Sequence, residues 1–271
     1  MYSGFFDELD ARKAKLDAAR PLSLHTLASL REQLALEWTY NSNAIEGNTL
    51  TLRETQVVLE GITVGGKPLK DHLEAVNHRD AIHYVESLVS QKQVLSERVI
   101  LDIHNLVLKG IDDQQAGRYR QQNVIITGAS TTPAHFLHVR EAIQALVAWH
   151  ESKPAQALHP VEREAQMHVR FEQIHPFVDG NGRTGRLLLN LELMKLGYPP
   201  AVIRKEDRLN YYEALDTAAT SKNWIPITGL VTGAVQRSLE LYLNVLNPAQ
   251  ELEQPKTMQV KKLRQRGGLE L

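Results

Sequence analysis

The chain of 271 residues has no cysteine. That excludes a disulfide framework, a thiolate nucleophile and a thiolate-bound zinc, and it fits a reducing compartment. Charge of either sign is not in excess: 31 Lys and Arg stand against 32 Asp and Glu, so no bulk field points to nucleic acid or to a membrane surface. No run approaches the roughly 18 apolar residues of a membrane span. The opening MYSGFFDELDARKAK lacks the basic start and apolar stretch of a secretion signal. A soluble, cytoplasmic protein is the expectation.

What is present is ordinary globular material, 42% hydrophobic and 23% charged, enough for a sizeable core. Apolar residues recur at helical spacing almost throughout, which predicts an all-α fold with one small β element. Helices are predicted over about 4–19 and 24–40, then from Thr51 to Gly61 with Thr51 and Glu54 as a capping box. Others run from Lys67-Pro68 to about 89 and from Ser96 to Gly110. The polar stretch Asn41–Thr51 reads as loop with a brief helical turn around Ala44–Glu46. Asn123–Thr127 is rich in β-branched residues and precedes Gly128–Pro133 and His135-Phe136-Leu137, so a β-hairpin is predicted at about 122–138.

Helices resume at about 139–151, then from Pro160, a favoured first-turn residue, to Ile174. Another opens near Gly182, and two more are predicted at about 206–220 and 225–246. The helix after Gly182 carries leucines on every side, which marks it as central and buried. Beyond Pro248 the chain is polar and charge-rich. It reads as a tail with a solvated basic cluster at Lys261–Arg266.

Chemistry-bearing residues gather between the predicted helices that end at His175 and begin at Gly182. Gly180-Asn181-Gly182 permits positive φ and close backbone approach, and the first amides of the next helix point outward with its dipole behind them, an anion cradle. Arg183 and Arg186 lie three apart on one face, where they oppose that dipole and repel each other until a polyanion lies between them. Their planar forks favour phosphate, which makes a di- or triphosphate the natural ligand. Asp179 offers a hard oxygen suited to Mg²⁺ shared with substrate phosphates, or to Mn²⁺ in its place. His175, with an ordinary pKa near 6.5, is placed to take a proton from a hydroxyl.

The string His175-Pro-Phe-Val-Asp179-Gly-Asn-Gly-Arg183-Thr-Gly-Arg186 resembles the signature of the Fic family at every defining position. The resemblance implies a Fic fold, a helical bundle with a small β-hairpin flap, and transfer of AMP from ATP to a Ser, Thr or Tyr hydroxyl of a protein target or of the chain itself. It assigns His175 as general base and Asp179 as metal ligand. Gly180, Asn181 and Gly182 would meet phosphates, with Arg183 and Arg186 on the nucleotide and Phe177 as a core anchor. Ser42-Asn-Ala-Ile-Glu46-Gly47 is similar to the inhibitory motif of many Fic proteins, which implies that Glu46 pairs with Arg186 where a γ-phosphate would go. Arg208–Leu215 is also Fic-like and places Tyr212 at the adenine pocket. The segment from Gly117 to Pro133 is similar to the flap that docks the target.

Three regions are expected: an N-terminal helical region 1–95 holding the motif at 42–47, a catalytic core 96–247, and the tail 248–271. A homodimer is expected from the resemblance. A hydrolase removing AMP, a phosphotransferase using the same loop, and an ATP-sensing regulator without turnover remain open alternatives at this point.

Overall fold

The computed structural model describes residues 4–246. The tail expected over 248–271 lies outside the described residues. Eleven α-helices follow one another among them: α1 (Asp7–Ala18), α2 (Leu24–Ile45), α3 (Leu52–Leu59), α4 (Leu69–Ser90), α5 (Glu97–Leu108), α6 (Val139–His150), α7 (Lys153–Gln156), α8 (Pro160–Ile174), α9 (Asn181–Lys195), α10 (Arg208–Ser221) and α11 (Ile225–Leu246). Their starts carry the chemistry the sequence advertises. The Ser23, Thr51 and Ser96 side chains accept from the amides of Thr26, Glu54 and Val99, Thr51 and Glu54 form the full capping box, and Pro160 is the first residue of α8.

Helices α8 and α9 form the centre. Leu187, Leu188 and Leu191 face a cluster built with Trp38, Val85, Ile103, Ile143 and Phe171. Leu189 and Leu193 face a second cluster with Ile45, Val161, Tyr211 and Val235. All five leucines are fully buried, and each contributes about 1.5–3 kcal/mol by leaving water. The loop between α8 and α9 is therefore slung from the most fixed part of the molecule.

Two expectations are corrected. The β-hairpin at 122–138 does not form, and no strand occurs among the described residues. Side chains bind this segment where a ladder was expected. Buried Arg120 donates to the carbonyls of Gln122 and Ala134, the Phe136 amide donates to Asn123 Oδ1 at 3.0 Å, and the Ser130 amide donates to Asp216 Oδ1 of α10 at 2.7 Å. A β-branched run favours extended backbone but cannot by itself create paired strands.

The second correction concerns Asn41–Ile45, which belongs to α2. Asn41 and Asn43 turn their amides back onto the Glu37 and Thr39 carbonyls at 2.8 and 3.0 Å, within the helix. Each also reaches another element: the same Asn43 Nδ2 donates to the Glu74 carbonyl, and Asn41 Oδ1 accepts from the Lys205 amide. Tertiary bonds thus overrule a weak local preference.

Candidate active site between α8 and α9

Helix α8 ends at His175, whose backbone is left-handed at φ 49°, ψ 60°, a conformation that costs a non-glycine residue energy and persists only where its surroundings enforce it. Arg120, 2% exposed, supplies that enforcement. Its Nε donates to the His175 carbonyl at 2.8 Å, its Nη2 to that of Ile174 at 3.3 Å, and its backbone amide to that of Pro176 at 3.0 Å. A guanidinium at a helix C-terminus also complements the dipole. Burial lowers the His175 pKa, so the imidazole is neutral at pH 7.

Phe177 is fully buried and stacks on His104, ring centres 3.5 Å apart. His104 Nε2 meets the Asp179 carbonyl at 3.0 Å, while its Nδ1 accepts from the Gly117 amide at 3.0 Å. The two bonds together require the neutral imidazole with its proton on Nε2, and burial pushes the His104 pKa down to about 4. Asn181, 3% exposed, has both ends of its amide engaged. Oδ1 accepts from the Phe177 amide and Nδ2 donates to the Phe177 carbonyl, each at 2.9 Å. The geometry makes Asn181 a clasp of the loop.

Gly180, at φ 78°, precedes α9, and no side chain caps that end of the helix. Asp179 is 49% exposed at its side chain. Its Oδ1 accepts from the Gly180 amide at 2.6 Å and from Arg183 Nη2 at 3.0 Å, and its Oδ2 lies 3.4 Å from Lys70 Nζ. Burial alone would raise its pKa, but Arg183 and Lys70 hold it below the ordinary value. Arg183 is only 2% exposed and also pairs with Glu74 of α4 at 2.9 Å.

Arg186, equally buried, faces the end of α2. Its Nη2 donates to Glu46 Oε1 and to the Ser42 carbonyl, both at 2.8 Å, and its Nε donates to Ser42 Oγ at 3.1 Å. Nη1 is buried with no partner among the described residues. The Glu46 carboxylate lies directly over Gly182, where an added Cβ would overlap Oε1 and crowd Arg186 Nη1, so a larger residue there would push the carboxylate aside. Gly47 follows at φ 98° and turns the chain out of α2. Each arginine of the loop thus meets a carboxylate from the N-terminal region, Glu74 for Arg183 and Glu46 for Arg186.

Tyr212, 37% exposed, donates its hydroxyl to the Ile45 carbonyl at 3.3 Å, and Arg208 Nε donates to the same oxygen at 2.7 Å. Buried Tyr211 lies within 2.6 Å of His168 Nε2. The carboxyl of Glu172, beneath Gly185, is pushed up to about 8 by burial, which the Coulombic pull of Arg186 only partly offsets. Sequence reasoning did not identify Arg120, His104, Glu74, Lys70 or Glu172 as parts of this site. His104 lies on an apolar helix face, Arg120 falls in the segment read only as flap, Glu172 precedes His175 by three residues with nothing to mark its burial, and Glu74 and Lys70 are concealed by distance in sequence.

Fold and site together define an all-helical protein organised around an anion-facing loop between two buried helices. The comparisons with known proteins agree. The Fic/DOC family profile matches residues 94–193. The protein adenylyltransferase Fic of Nematostella vectensis is 36% identical over 239 residues, which are 88% of this chain and 55% of that relative. Among solved structures, a Fic domain containing signaling protein from Bacteroides thetaiotaomicron superposes with a TM-score of 0.80 at 30% identity, over 88% of this chain and 96% of that one. Fic-1 from C. elegans gives 0.79 and 30%, over 90% and 72%. The chain belongs to the Fic/DOC family, as its loop signature suggested. It spans about half the length of the curated relatives it matches.

No helix among the described residues is long and apolar enough to cross a membrane.

Proposed function

We propose that this chain transfers AMP from ATP to a hydroxyl of a protein target, itself included, and that Glu46 restrains the transfer. The observation that carries the reading is the unbroken loop from His175 to Arg186. It has a neutral imidazole at one end and, at the other, an uncapped helix start with the unpartnered Nη1 of Arg186 beside it. Curated relatives are named protein adenylyltransferase, which supports the reaction.

In this reading His175 accepts the proton of a Ser, Thr or Tyr hydroxyl as that oxygen attacks the α-phosphorus. The bond to the β-phosphate breaks, and pyrophosphate leaves with its electrons. The amides of Gly182 and Arg183 receive phosphate oxygens, and Arg186 joins them once Glu46 withdraws. Asn181 acts by holding the loop. The half-exposed carboxylate of Asp179 is a hard donor of the kind that fits Mg²⁺ or Mn²⁺; when bound, such a cation neutralises phosphate charge. Tyr212 and Arg208 flank the adenine, and Ser42 and Gly47 fix the carboxylate of Glu46 over Gly182. The target lies along the segment 122–138, where Ile125 is 92% exposed. A homodimer in the cytoplasm is the proposed setting, checked by light scattering and by cell fractionation.

The test uses ATP labelled at the α-phosphate with wild type, Glu46→Gly, and Glu46→Gly with His175→Ala. Glu46→Gly should label protein more strongly than wild type, and loss of His175 should cut labelling by about 10²–10⁴-fold. Equal labelling by wild type and Glu46→Gly removes the brake. No label while ATP still binds overturns AMP transfer in favour of the hydrolase or the sensor.

A further inference from the structure

Lys70 is the second residue of α4. A cation there opposes the helix dipole, and no side chain caps that helix start. Among the described residues the only helical partner of Lys70 is Glu74, one turn on, at 3.7 Å. The side chain is 55% exposed and reaches across 109 residues of sequence to Asp179, with Nζ 3.4 Å from Oδ2 and 3.7 Å from Glu74 Oε1.

The two oxygens of Asp179 differ in their partners. Oδ1 is engaged by the Gly180 amide and Arg183, groups fixed with the loop and α9. Oδ2 is met by an ammonium on a flexible stem. The other carboxylates near Lys70 are already engaged. Glu74 takes Arg183 at 2.9 Å and Asn48 at 2.8 Å, and Asp71 takes the Thr49 amide and hydroxyl at 2.8 and 2.6 Å. An ammonium leaving Oδ2 therefore gains little by turning to either.

We propose that Lys70 is a further substrate-contacting residue, whose ammonium leaves Asp179 Oδ2 for a β- or γ-phosphate oxygen when a nucleoside triphosphate and its divalent cation bind. The inference rests on the nucleotide reading of the site. A hard cation held by one carboxylate completes its shell with phosphate oxygens, so phosphates arrive where Lys70 loses its partner, and a lysine serves them as a point charge. The residue thereby separates triphosphate from monophosphate: AMP has no group within the reach assigned to it.

Isothermal titration of the non-hydrolysable β,γ-imido analogue of ATP, and separately of AMP, into wild type, Lys70→Ala and Lys70→Arg tests this in the presence of Mg²⁺. Lys70→Ala should weaken the triphosphate analogue about tenfold, leave AMP within about twofold, and be largely rescued by Lys70→Arg. Unchanged binding of both ligands, or equal weakening of both, overturns the role of Lys70 while leaving the nucleotide site standing. Failure of wild type to bind either ligand overturns both readings. Because Lys70 is more than half exposed, all three proteins should share one melting profile, and a lower melt in Lys70→Ala would assign it a structural role.

Discussion

Two loops meet at this site, and they are held in opposite ways. The segment from His175 to Asn181 is fixed at nearly every residue: Arg120 on its first carbonyls, His104 stacked on Phe177 and bonded to Asp179, and Asn181 clasping Phe177 from both sides. The segment from 122 to 135 has no regular structure, is held by a few side-chain bonds and presents Ile125 almost wholly to solvent. Reacting groups need placement to within a fraction of an ångström, so chemistry belongs on the first kind of loop. A surface that must fit partners of varied shape gains from the second kind.

The contrast breaks first at Phe177. Phe177→Ala removes the ring that joins the loop to His104 and the main core, and should cost about 3–5 kcal/mol in urea or thermal unfolding; a loss under about 1 kcal/mol would mean that the loop is not anchored from within. Next in size is Glu172, under the same loop. The folded chain keeps its carboxyl proton up to about pH 8, against 4.5 for the ordinary group. Stability from this residue is therefore full below pH 4.5 and falls as pH rises through the window to 8. Glu172→Gln should flatten that slope and be the more stable protein above pH 8 by about 1–2 kcal/mol. Parallel pH profiles would show Glu172 ionised in the fold. The smallest effect belongs to the lightly held segment. Asp216→Ala frees the Ser130 amide and should change global stability by less than about 1 kcal/mol, while limited proteolysis between 124 and 135 quickens. An unaltered cleavage rate would mean that other contacts restrain the tip.

The sequence made the first loop legible because its base, carboxylate, glycines and arginines fall within twelve consecutive residues, and because the leucines after Gly182 announce a buried helix. Helix starts at Ser23, Thr51, Ser96 and Pro160 were legible for a similar reason: capping is decided within three residues. The 122–138 segment misled, because strand pairing depends on a partner across a turn and no residue type specifies one here. Asn41 and Asn43 misled too, since they look like loop formers and become helical only through bonds to Lys205 and Glu74. Glu74 and Lys70 were beyond reach, because each meets the loop from 109 residues away with nothing beside it in sequence to mark it. Arg120 stood inside the flap-like segment, but its grip on the His175 carbonyl, 55 residues on, could not be read from it.

Glu46 precedes Arg186 by 140 residues, and that order has a consequence during synthesis. A ribosome adding about 5–20 residues per second delivers the carboxylate roughly 7–28 seconds before the guanidinium it meets. Helices α2 and α4 are already outside, with time to pair, when α9 appears. The pairing of Glu46 with Arg186 is then the first arrangement the new molecule reaches. Under the proposed brake, release would have to come later, from a partner or a ligand that draws the end of α2 away, and not by an accident of birth.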